Sequence, residues 1–146
     1  MVFPEVKEKA AAVLFIHENK GLNDWARSVA DQLAEAGYIA IAPDMISGMG
    51  PEKGNTDSFK SVDDATKAIY KLEAAGVSAD LGAVAEAVLA LPACNGKLSV
   101  AGFCWGGTQT WEFATRRKGL TAACVFFGSA PKDEDSLALI DCTVYG

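Results

Sequence analysis

The chain has 146 residues, 50% of them apolar and 22% charged, a size and composition that fit one ordinary globular domain burying roughly two thirds of its unfolded surface. Thirteen basic against nineteen acidic side chains give a net charge of −6, and the longest basic run is Arg116-Arg117-Lys118, which argues against nucleic acid as a partner. Four widely spaced cysteines without a Cys-x-x-Cys, and His17 as the only histidine, argue against zinc and exclude a multi-histidine metal centre, and no apolar run approaches the ~18 residues of a membrane span.

Met1 to Lys9 lacks the basic-then-apolar layout of a secretory signal, so a cytoplasmic protein with reduced thiols is expected. Ala11 to Ile16 is a continuous apolar run, the texture of a strand buried on both faces, and it ends in polar His17-Glu18-Asn19. Asn23 or Asp24 caps a predicted helix with Trp25, Val29, Leu33 and Ala36 on one stripe and Gly37 as its left-handed terminator. Tyr38 to Ala42 reads as a second strand, closed by Pro43-Asp44. Met45 to Lys60 is rich in Gly, Pro, Asn, Asp and Ser and reads as a long loop overhanging something functional.

Ser61 opens a predicted helix that closes at Gly76, and Ser78 caps another, striped by Leu81, Val84, Ala85, Val88 and Leu91 and stopped at Pro92 before a turn at Asn95-Gly96. Leu98 to Ala101 is a brief strand leading into Gly102-Phe103-Cys104-Trp105-Gly106-Gly107, and Thr108 to Arg117 reads as a helix ended by Gly119. Ala122 to Phe127 is another buried strand, Gly128 to Ser136 a polar connection, and Leu139 to Tyr145 a last strand. Strands alternating with helices imply an α/β fold with a mostly parallel sheet and helices on both faces, its site beyond the carboxyl ends of the strands. His17-Glu18-Asn19, Asp44, Cys104 and Gly128-Ser129 all fall on that edge.

Gly-x-Cys-x-Gly between a strand and a helix is the nucleophile-elbow pattern with cysteine in place of serine. The glycines permit a strained turn that opens the sulfur to solvent, and the helix amino terminus favours the nucleophilic thiolate. The Trp105 N–H points where a tetrahedral oxyanion forms, and the loop after the first strand, through Asn19, is the expected source of a second donor. Glu18, a carboxylate beside a thiol, disfavours the thiolate and reads as a brake. His17 is read as organising the turn, with a place at the substrate pocket; Tyr70 is a second pocket candidate, and Asp44 is read as a loop anchor.

His17-Glu18-Asn19-Lys20-Gly21-Leu22, Ala42-Pro43-Asp44, Asn95-Gly96-Lys97 and the Cys104 elbow together resemble the dienelactone hydrolase family, through almost the whole chain. The resemblance implies an α/β-hydrolase fold and a carboxymethylenebutenolidase-like hydrolysis of lactones or carboxylic esters through a thioester, with no metal or organic cofactor. It makes Cys104 the nucleophile, Glu18 the carboxylate that contacts the resting thiol, and Trp105 and Asn19 the oxyanion donors. It also makes residues 1–146 the amino-terminal two thirds of the domain, a single incomplete unit truncated on its carboxyl side. The family's triad aspartate and histidine fall after the strand ending at Tyr145-Gly146, and no arginine lies between Met45 and Tyr70 to hold a substrate carboxylate. A small ester or lactone is thus the expected partner, with no membrane or nucleic acid. The alternative is a non-catalytic module that self-associates through an exposed sheet edge.

Overall fold

Strand β1, Ala10–Ile16, is buried at every position except Ala11, as its unbroken apolar run requires. The computed structural model describes every residue from Met1 to Gly146 and places β1 inside a five-stranded sheet. The order is β2-β1-β3-β4-β5 and all neighbours are parallel, with β2 at Ile39–Ile41, β3 at Cys94–Phe103, β4 at Ala122–Phe126 and β5 at Thr143–Tyr145. The chain therefore leaves β1 first to one side and then returns past it to the other. The reversal lies between β1 and β3, and a crevice opens there beyond the carboxyl ends of the two strands. Because Ile16 pairs with Gly102, His17–Asn19 and Phe103–Trp105 leave the sheet side by side.

Helix α1, Asp24–Glu35, packs on β2, whereas α3, Ala74–Leu89, packs on β1 and β3, and α4, Trp105–Arg116, on β1, β3 and β4. Right-handed crossovers put α1 on one face and α3 and α4 on the other. On the α3 and α4 face, Val77, Leu81, Ala85 and Val88 meet Leu14, Leu98 and Val100 in one buried cluster. On the opposite face α1 lies over β2, and its Trp25 reaches Phe15 of β1 and Phe103 at the end of β3. Along β4, Ala123 and Val125 are buried while Ala122, Cys124 and Phe126 remain partly open, and an apolar groove of about 320 Å³ runs between Leu33, Tyr38, Ala101, Cys124 and Phe126.

Several boundaries differ from the sequence reading. Asn23 is the cap of α1, its side chain accepting from the Ala26 N–H at 3.0 Å, but the buried stripe is Ala26, Ala30 and Ala34. Small residues let the helix approach the sheet closely, and Trp25, 43% exposed, lies on the flank with its ring edge against Phe15 and Phe103. Helix α2 is shorter than expected, Val62–Ile69, and α3 begins at Ala74, so Gly76 and Ser78 lie inside it rather than at a break. Val77 is the first member of the buried stripe of α3 and recruits the turn before it.

Asn95-Gly96 forms a bulge inside a longer β3, between the pairs Ala10–Cys94 and Ala12–Leu98. The polar stretch after β4 contains a short helix, α5, Glu134–Ala138, capped by Asp133. The turn that closes that helix takes Leu139 and Ile140 from the start of the expected last strand, leaving β5 only three residues. The 45–60 segment folds down on the sheet edge through two 3-10 turns, with Met45, Ile46 and Thr56 buried. No helix is long and apolar enough to cross a membrane.

Candidate active site

Cys104 occupies the one-residue junction between β3 and α4, with φ +53° and ψ −113°. A side chain adopts that conformation at a cost of order 1–3 kcal/mol, so the surroundings must impose it. They do so through both backbone groups: the Cys104 N–H donates to Phe126 O at 2.8 Å, and its carbonyl accepts from the Thr108 N–H at 3.1 Å. Glycine allows the close approach. A Cβ at Gly106 would lie 2.3 Å from Ile16 O and 2.4 Å from His17 O, and one at Gly102 would lie 2.3 Å from Gly106 O. The start of α4 is thereby pressed against the end of β1. The thiol is exposed and free, and none of the surface cavities is lined by it.

Helix α4 begins at Trp105, so the N–H groups of its first turn have no intrahelical acceptor. The Asn19 N–H, in the neighbouring turn after β1, likewise donates to no group of the chain. Two donors thus stand on the two segments that leave the sheet side by side. The Asn19 side chain donates to Tyr70 Oη at 3.3 Å, which joins the turn to the end of α2, and Tyr70 itself is well exposed.

His17, expected at the pocket, is fully buried instead. Nδ1 lies 2.8 Å from Glu18 O and Nε2 accepts from the Met45 N–H at 3.1 Å, which fixes the neutral tautomer with its proton on Nδ1. Burial pushes its pKa below the ordinary 6.5, the neighbouring Glu18 carbonyl and the Asp44 and Glu18 charges opposing only in part. Its ring stacks on Trp105 with centroids 5.7 Å apart. His17 therefore ties β1, the Met45 loop and the elbow together and has no nitrogen free to take a proton from Cys104.

Glu18 is also placed differently from the expected contact with the thiol. Its carboxylate lies 3.3 Å from Lys20 Nζ, and no hydrogen bond joins it to Cys104. Asp44 anchors the loop: its oxygens accept from the N–H groups of Ile46 and Thr56 and from the Thr56 hydroxyl.

Phe127, read as the last residue of a buried strand, lies just past β4 at φ +56° and is 92% exposed, and Thr56 escaped the sequence reading. For Phe127 the apolar run continued unbroken to Gly128, which hid the end of the strand. Thr56 carried no signal, since one threonine in a polar loop looks like any other. No cluster of His, Cys, Asp and Glu side chains in the chain is arranged to hold a metal ion.

The model of the Dienelactone hydrolase family matches residues 1–146. The chain belongs to the dienelactone hydrolase family. Among its relatives, the Xenopus tropicalis carboxymethylenebutenolidase homolog is 30% identical over 120 residues, which cover 82% of this chain and 46% of that one. The solved structure of P91, a dienelactone hydrolase-like promiscuous phosphotriesterase from metagenomic libraries, is 29% identical with a TM-score of 0.75, covering 95% of this chain and 56% of that one. The α/β hydrolase GrgF of Penicillium shares the fold at a TM-score of 0.63 and 19% identity, covering 84% of this chain and 38% of that one. The chain spans about half the length of the curated relatives it matches. The cysteine elbow is thus set in an α/β-hydrolase sheet, and the turn after β1 is its neighbour.

Proposed function

We propose that residues 1–146 carry the acyl-accepting half of a cysteine hydrolase of lactones or carboxylic esters. The observation that supports this most directly is Cys104, held at positive φ with its thiol exposed, at the head of α4 and beside the fold's switch point. Its thiolate attacks the ester carbonyl, and the tetrahedral oxyanion is held by the N–H groups of Trp105 and Asn19. Collapse breaks the ester C–O bond, leaves a thioester on Cys104 and releases an alkoxide that takes a proton from solvent. Glu18, when not held by Lys20, restrains the resting thiol.

Release of the acyl group requires an activated water, and the single imidazole of the chain is committed to backbone partners. The triad aspartate and histidine of the whole hydrolase therefore lie outside residues 1–146 in this reading, which is set in the cytoplasm, where Cys104 stays reduced. The test is stopped-flow release of p-nitrophenolate from p-nitrophenyl acetate. One equivalent per chain is expected in a burst, followed by slow turnover; linear release from the start, or a burst that persists in Cys104→Ala, would contradict the proposal.

A second reading, self-association through the sheet edge, is favoured by β5, which pairs only with β4 and carries exposed Thr143 and Tyr145. Sedimentation equilibrium checks it: a dimer weakened by Tyr145→Pro supports the reading, and a monomer at all concentrations dismisses it.

A further inference from the structure

The turn that presents Asn19 is one hydrogen-bonded unit, with the Gly21 N–H donating to Glu18 O at 3.3 Å and the Asn23 N–H to Gly21 O at 3.0 Å. Besides the His17 and Tyr70 contacts, a hydroxyl from a distant segment ties that unit to the fold. Thr56, buried in the second 3-10 turn of the 45–60 loop, accepts from the Leu22 N–H at 3.0 Å and donates to Asp44 Oδ1 at 2.8 Å. Asp44 Oδ2 accepts in addition from the Thr56 N–H at 2.8 Å, so the threonine is gripped by both its backbone and its side chain. The side chain also fills the space opposite Gly21, where a Cβ would stand 2.4 Å from Oγ1. Because the hydroxyl donates its hydrogen to the carboxylate in a hydrogen bond, a lone pair of Oγ1 is left to face Leu22. Only a group that donates and accepts at once meets both demands.

We propose that Thr56, oriented by Asp44, is a positioning residue for the oxyanion turn, setting where the Asn19 N–H stands relative to Cys104. The inference rests on the acylation reading above. Its physical basis is the tolerance of such a site: donors must be held to within about 0.5 Å of the productive place, and among the bonds that tie the turn down the one from Thr56 comes from a buried side chain of a distant segment. The segment from Asp44 to Thr56 then has a role that a solvent loop does not, namely to fix the second oxyanion donor from outside the elbow.

Two reactions at the same sulfur separate positioning from general damage. Acylation by p-nitrophenyl acetate passes through a tetrahedral oxyanion. Alkylation by iodoacetamide forms a C–S bond and expels iodide without one. Thr56→Val, which keeps the shape and removes both hydroxyl bonds, is expected to slow acylation about tenfold, below the ~10²–10³ of a donor lost outright. Alkylation should stay within about twofold of wild type, and Thr56→Ser should restore acylation. Equal losses in both reactions, or no loss in either, would overturn the inference. Should Thr56→Val fail to fold by circular dichroism, Asp44→Asn carries the same comparison with the same expected split. A wild-type acylation-to-alkylation ratio no higher than that of N-acetylcysteine would instead overturn the oxyanion reading itself.

Discussion

At the scale of single residues, the site is a contest for charge around one sulfur. Glu18 and Lys20 lie on the same turn as Asn19, 3.3 Å apart and partly exposed, so their pairing is worth at most about 1 kcal/mol. That is enough to decide where the carboxylate spends its time. Lys20→Met frees Glu18 to disfavour the neighbouring thiolate, and iodoacetamide labelling of Cys104 should slow about two- to fivefold. Adding Glu18→Gln should restore the rate. Identical rates in all three proteins would mean that Glu18 does not sense the thiol.

Elements bring these residues together, and the closest join is that between β1 and α4. Gly106→Ala would place a methyl 2.3 Å from Ile16 O, which neither backbone can yield without parting. A loss of about 1–3 kcal/mol is expected from urea denaturation, the usual cost of overpacking. The same substitution at Gly76, which has nothing within 4 Å of its Cβ position, should be neutral or slightly stabilising.

This scale also shows what the sequence made legible. β1 and β4 announced themselves as apolar runs, and the elbow as two glycines around a cysteine, because these features are local. The start of α3 did not, since Ser78 looks like a cap until Val77 is seen to belong to the buried stripe. Nor did β5, whose first apolar residues, Leu139 and Ile140, close helix α5 instead. Within the candidate site, Cys104, Trp105 and Asn19 are singled out by residue type and spacing. Met45, which donates its N–H to His17, and Thr56, whose hydroxyl accepts from the Leu22 N–H, act through a backbone N–H and a hydroxyl that leave no mark on a pattern of residue types.

For the whole molecule, His17 links the stability of the fold to pH. Its folded pKa lies below 6.5 because burial penalises the imidazolium. As pH falls through 6.5 the unfolded chain gains a proton that the folded chain refuses. Stability is therefore full above that value and declines as acid is added, by at most about 1.4 kcal/mol per pH unit. Asp64 and Asp133, whose carboxyls are held below 3.8 by Ser61 and Ser136, act in a more acid window. Urea midpoints measured between about pH 7.5 and about pH 5 should fall for wild type, whereas a His17→Asn variant should be less stable throughout and show a flatter profile. A flat wild-type profile would contradict the buried, neutral imidazole.

Of the four thiols, Cys104 alone is expected to accept an acyl group. Cys94 is buried, and burial pushes the Cys124 and Cys142 thiols upward, the charge of Asp141 adding to the effect at Cys142. The most direct measurement is peptide mass mapping after a brief, acid-quenched exposure to p-nitrophenyl acetate. One acetyl group on the peptide containing Cys104, and none on the others, is the result expected. Acetyl spread across the cysteines in proportion to exposure, or absent from Cys104, would contradict the account.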